Sequence, residues 1–352
     1  MNIYKRKNKR VINNIILLVF FFNIEPIFSQ SSFTIIGIPD TQYYTENLRG
    51  SGAGQGTGMV ETFFAQTAWI VNSRVDSNIV YAAHLGDCVQ NGDEVEQEWI
   101  NASDAMATLE NPATTGLLDG IPYGVAVGNH DMTPWDNHDL TSTDTLFNKY
   151  FGVDRFTGRN YYSGHYGDNN DNHYDLFQVD ALKFIAIYIK YEEYKANPTV
   201  LSWADSLLSA YSDRLGIVVS HKLLDNFSGT QVDFSSQGQA IFDSVKNNSN
   251  LFLMLCGHYT QNGRRVETNG GGKPVNILMS DYQGLTNGGD GYLRIMRFEP
   301  LKDSIYVRTY SPTLDEFMTG TNSEFALYYD FQLALPVELS SFTGIAKKTK
   351  TG

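Results

Sequence analysis

The sequence predicts an α/β protein built from two β-sheets packed face to face and flanked by helices, and three observations carry that expectation. The first is order: through the first 130 residues, short apolar runs alternate with stretches of helical spacing, a βαβαβ pattern that lays helices on a parallel sheet. The second is a change after that point, where strand-like runs fall close together as hairpin and antiparallel strands do. The third is composition. With 352 residues, 42% hydrophobic and 13% aromatic, the chain can bury one large core or two modest ones and is not disordered.

Each element has its own signal. Phe33–Ile38 (FTIIGI) is a continuous apolar run, the mark of a buried strand, and Met59–Val75 carries apolar residues at helical spacing. Asn78–Leu85 is a second strand, Glu94–Leu109 a second helix and Tyr123–Val127 a third strand. Leu140–Asp171, rich in Asn, Asp, Gly and Tyr, reads as a long functional excursion. Strands at His173–Val179 and Leu182–Ile189 form a hairpin, followed by a helix at Pro198–Tyr211 and a strand at Gly216–Ser220. A helix at Ser235–Val245 and a strand at Leu251–Cys256 come next. Val275–Met279, Tyr292–Phe298 and Ile305–Thr309 look antiparallel, with a last strand at Phe325–Leu333.

The ends of the chain read differently. Residues 1–30 carry a basic stretch from Lys5 to Arg10 and then an apolar run, Ile15–Phe22. That run is far short of the roughly 20 residues a membrane span needs, so the segment reads as an export signal rather than an anchor. The mature protein is then expected to be secreted or periplasmic, with a catalytic domain over 31–333 and a tail over 334–352. The formal charge is −13, and with five basic residues against Glu25 in the leader the remainder is near −17. Such a surface repels polyanions, which argues against a non-specific nucleic-acid binder but not against a phosphorylated substrate held through cations. Two cysteines, Cys88 and Cys256, provide no disulfide framework. They are two small buried residues or one bridge between neighbouring strands.

Chemistry concentrates where five apolar runs end: Asp40-Thr41-Gln42, Gly86-Asp87, Gly128-Asn129-His130-Asp131, Ser220-His221 and Gly257-His258. Sites form where loops leave the carboxyl ends of strands, and hard oxygen donors mixed with imidazole suit divalent first-row metals. Gly-Asp alone is ordinarily a turn, and a lone histidine ordinarily a satisfied structural one. Their order and joint placement give the pattern its weight.

In that order the motifs resemble the calcineurin-like metallophosphoesterase family, over about Phe33 to Thr309. The resemblance implies a two-sheet β-sandwich flanked by helices that hydrolyses phosphate mono- or diesters, small or polymeric, with up to two divalent cations (Mn, Mg, Ca, Fe or Zn). It implies one metal site from Asp87, Asn129, His221 and His258, with Asp87 bridging both metals and His130, beside Asp131, assisting the leaving oxygen. The second site departs from the family pattern. Gln42 stands where the family has His, and Thr260 replaces the second His of the last motif. That leaves Asp40, Asp87 and the Gln42 amide oxygen, with Asp281 or water to complete the shell, an oxygen-rich set that favours Mg²⁺, Mn²⁺ or Ca²⁺ over Zn²⁺. The Asp-Thr-Gln form, with Gly263-Arg264-Arg265 and Asp281-Tyr282-Gln283, is similar to a secreted bacterial branch of the family. Leu335–Phe342 resembles a junction that precedes a sorting domain, or else is an ordinary last strand.

Other residues have two readings. Asn91 contacts substrate or forms an Asn-Gly turn. Arg264 clamps a phosphate or solvates a face. Tyr43, Tyr44, Trp99 and Trp135 wall the pocket or fill the core. A catalytically weakened, metal-retaining phosphate- or ligand-binding module is the competing function. His130 and Asp131 favour the enzyme, whereas Thr260 favours the binder.

Overall fold

The computed structural model describes residues 30–48, 58–132, 146–192, 196–225 and 232–331. The expected leader apart from Gln30, Trp135 and the 334–352 tail lie outside them.

The strands are β1 (Phe33–Ile38), β2 (Ile79–His84), β3 (Tyr123–Val125), β4 (Tyr162–His165), β5 (His173–Val179), β6 (Leu182–Tyr188) and β7 (Leu215–Val219). They continue with β8 (Leu251–Cys256), β9 (Gln261–Thr268), β10 (Pro274–Asp281), β11 (Leu293–Glu299), β12 (Ser304–Ser311), β13 (Glu316–Met318) and β14 (Glu324–Tyr328). The helices are α1 (Gln42–Glu46), α2 (Val60–Ser73), α3 (Glu96–Ala107), α4 (Pro112–Thr115), α5 (Leu146–Phe151), α6 (Val153–Phe156), α7 (Pro198–Ala210) and α8 (Ser236–Val245).

Two seven-stranded sheets result. One runs β13-β12-β11-β1-β2-β3, with β14 also on β12, and the other runs β4-β5-β6-β7-β8-β10-β9. β1, β2 and β3 are parallel to one another, as are β6, β7, β8 and β10. Their buried faces explain the continuous apolar runs, because parallel strands covered on both sides cannot alternate. Phe33, Leu85, Phe184, Leu253 and Phe298 belong to the core between the sheets. Ile70, Trp99 and Met106 on α2 and α3 pack the outer face of the first sheet. Val200, Leu208 and Phe242 on α7 and α8 pack that of the second. Both of those helices start on caps: the Asn197 side chain accepts from Thr199 N with Pro198 in the first turn, and Ser235 accepts from Gly238 N.

Two expectations change, one strand is added and one choice between alternatives closes. Val275–Met279 lies inside β10, which is parallel to β8 and antiparallel only to β9. β9 itself went unread because its sequence, QNGRRVET, is polar on a partly exposed edge. The excursion is less irregular than its composition suggests, since α5, α6 and β4 fall within it. Cys88 and Cys256 are both buried and free.

Candidate metal centre

The ligand-type residues sit just past strand ends: Asp40 after β1, Asp87 after β2, Asn129 and His130 after β3, His221 after β7 and His258 after β8. Both sheets therefore contribute to one cluster. So close an approach requires loops without side chains. An added Cβ would lie 2.6 Å from His221 Nδ1 at Gly86, 2.1 Å from Asp87 Oδ1 at Gly128 and 2.1 Å from Asp40 Oδ1 at Gly257. Asp87 and His258 take positive φ, 49° and 76°, a conformation costing a non-glycine residue about 1–3 kcal/mol unless surrounding structure fixes it.

Four electron-pair donors face one point. His221 Nε2 lies 3.1 Å from Asp87 Oδ2 and 3.2 Å from His258 Nδ1, which lies 3.0 Å from Asn129 Oδ1. Asp87, His221 and His258 alone form a group able to hold a metal ion. His221 Nδ1 is 2.9 Å from the carbonyl of Leu85, which can only accept, so in the neutral ring the proton is on Nδ1 and Nε2 presents a lone pair. Asp87 Oδ2 is buried without a hydrogen-bond partner, an arrangement whose cost a cation removes. Asp87 Oδ1 accepts from His130 N at 2.9 Å. Burial alone would raise the Asp87 carboxyl, but the imidazoles of His221 and His130 outweigh it and hold the group below the ordinary carboxylate range. Burial, then His221, depresses His258 to about 3, so that ring is neutral. His221 goes the other way: burial opposes its charge, yet Asp87 raises it.

A second acidic group adjoins the first. Asp40 accepts from His258 N, 3.2 Å from Oδ2. Burial and then the charges of Asp281 and Asp87 raise its carboxyl well above the usual range. Asp281, wholly buried at the end of β10, is raised to about 7 by burial, against backbone and side-chain bonds from Gln283. Gln42 Nε2 donates to Gln90 Oε1 at 2.9 Å, while its Oε1 is buried without a partner. Thr260 is exposed, and its hydroxyl accepts from Gly284 N at 3.1 Å, so nothing at that position supplies the missing nitrogen.

The remaining candidates divide. His130 is half-buried, with Nδ1 2.9 Å from the carbonyl of Gln90. Asp131 is fully buried and accepts from Val89 N and Gly128 N, holding the loops together through its own oxygens. Asn91 donates to Glu98 through both backbone and side chain, so it anchors the loop after β2. Arg264 is not with the cluster: it projects from β9 with its guanidinium 4.3 Å from the centroid of Phe325. Trp99 is core, donating to Gly92 O, and Tyr44 is buried with its hydroxyl accepting from Gly291 N.

Sequence reasoning overlooked three groups. Glu98 accepts from Gln90 N and Asn91 N and fixes the loop that carries Asp87. His84, at the end of β2, accepts from Gly86 N and meets the Thr41 hydroxyl at 3.0 Å, bracing two ligand loops. Tyr191 and Tyr259 flank His258, with ring centroids 5.6 and 4.5 Å away, and Lys222 lies over both. The one signal for Lys222 was its place beside His221 at a strand end.

No protein-family profile matches the chain. An uncharacterised Bacillus subtilis protein, YvnB, is 33% identical over 317 residues, which are 86% of this chain and 22% of that protein. The chain thus spans under a quarter of the length of the curated relative it matches. Among solved structures, a dimetal phosphatase from Danio rerio superposes with a TM-score of 0.56 at 12% identity, covering 84% of this chain and 99% of that one. The two-sheet architecture with flanking helices is the calcineurin-like metallophosphoesterase fold. Among the described residues no helix is long and apolar enough to cross a membrane.

Proposed function

We propose that this chain hydrolyses phosphate esters with a water activated at a divalent metal centre. One observation carries the reading: Asp87 Oδ2, His221 Nε2, His258 Nδ1 and Asn129 Oδ1 converge, and the carboxylate oxygen is buried without a partner. When bound, a divalent cation lowers the pKa of coordinated water and offsets charge on the phosphoryl oxygens.

The protein's own groups prepare that chemistry. Leu85 O holds the His221 tautomer, and His130 N fixes the Asp87 carboxylate. Gln90 O anchors His130 by Nδ1, so proton transfer to a leaving oxygen falls to Nε2. Asp131 and Glu98 hold the loops that present these groups. A second cation would be held by Asp40, Gln42 and Asp87 with Asp281, all through oxygen, and therefore more loosely. Mn²⁺, Mg²⁺ or Ca²⁺ should serve it better than Zn²⁺.

The test joins metal analysis with assays on nitrophenyl phosphate and bis-nitrophenyl phosphate, each metal restored in turn. Asp87→Ala should lose bound metal and all hydrolysis. Full activity in that variant, stripped and refolded, would falsify the reading.

The exposed Thr260 favours a second reading, a metal-retaining binding module with little turnover. Tight phosphate binding without hydrolysis under any metal would establish it.

A further inference from the structure

Lys222 is only 8% exposed, yet no carboxylate pairs with it among the described residues. The contrast with Lys190 is direct: equally buried, that ammonium lies 3.0 Å from Asp171. Lys222 Nζ instead lies 5.4 Å from the centroid of Tyr259 and 6.0 Å from that of Tyr191. A buried ammonium is costly unless compensated, and two ring faces return only part of that cost. Both rings border the ligand cluster through His258. One aromatic ring therefore separates the ammonium from a metal-ligating imidazole. In a chain of net charge −13, a lysine set there with no acidic partner among the described residues is a place for an anion.

We infer that Lys222 receives a second phosphate of the substrate, one ring away from the phosphate at the metal centre, and that the favoured esters are diphosphates. The inference rests on the metal-centre reading given under Proposed function. Tyr191 and Tyr259 border the ammonium, and Lys222, touching substrate away from the reacting atoms, sets specificity rather than rate.

Calorimetric titration of the manganese-loaded protein with orthophosphate and with methylenediphosphonate, a diphosphate that cannot be hydrolysed, tests it. The wild type should bind the diphosphonate more tightly. Lys222→Met should weaken that binding about 10- to 100-fold, the worth of one charge-assisted hydrogen bond, and leave orthophosphate within about twofold. Lys222→Arg should keep most of the preference. Unchanged diphosphonate binding in Lys222→Met makes the lysine structural and overturns the inference. Equal loss for both anions places it on the metal-bound phosphate and overturns it too. Metal content is read on the same samples: a protein that takes up no metal sinks the metal centre and this inference together, whereas full metal with no diphosphonate preference sinks the inference alone.

Discussion

At the scale of single residues, the site depends on which atoms are already committed. Two ring nitrogens spoken for by carbonyls, His221 Nδ1 by Leu85 and His130 Nδ1 by Gln90, decide what their partner nitrogens can do. If His130 serves the leaving group, His130→Ala should slow esters with poor leaving groups by about 10²–10⁴-fold while sparing activated nitrophenyl esters. Equal losses on alkyl and nitrophenyl phosphates, compared by steady-state kinetics, would assign it to positioning instead. The ligand-type residues were legible because their types and order are written in the chain. Their neighbours were not. Asp131 and Asn91 look chemical in sequence, but hydrogen bonding turns both toward the loops. Arg264, open in sequence between a phosphate clamp and a solvated face, pairs with Leu278 on β10 and sets its guanidinium over Phe325.

At the scale of elements, legibility followed burial. β1 and β8, whose side chains are all buried, could be read to the residue. β9 and β13, on sheet edges with exposed positions, could not, because an edge strand need not carry a hydrophobic pattern. The glycines at the strand ends carry a separate consequence. Gly128 ligates nothing, yet a Cβ there meets Asp87 Oδ1 and Asp87 N. Overpacking of this kind costs about 1–3 kcal/mol, so Gly128→Ala should lower metal affinity about tenfold or more. Metal titration followed by mass spectrometry checks this, and affinity matching the wild type would mean that the loop yields more easily than its packing implies.

At the scale of the whole molecule, the two sheets meet at an acidic seam that cations would neutralise. Asp40 and His221 hold protons more tightly than free side chains do, and so does Asp281, raised to about 7. A cation must displace those protons. Apparent metal affinity should therefore climb as pH rises from about 5 to 8 and level off above, with protons released on binding at the acid end. Calorimetry in buffers of different ionisation enthalpy measures both quantities, and a flat profile would show that these groups are not ligands. The pairing of β1 carries one last implication, which concerns time. β1 lies between β2, a near neighbour in sequence, and β11, more than 250 residues further along the chain. Without β11, the strand leading to Asp40 has one open edge of apolar residues. Joining β11 to β1 is therefore a step of long sequence separation, the kind of contact that closes slowly in folding.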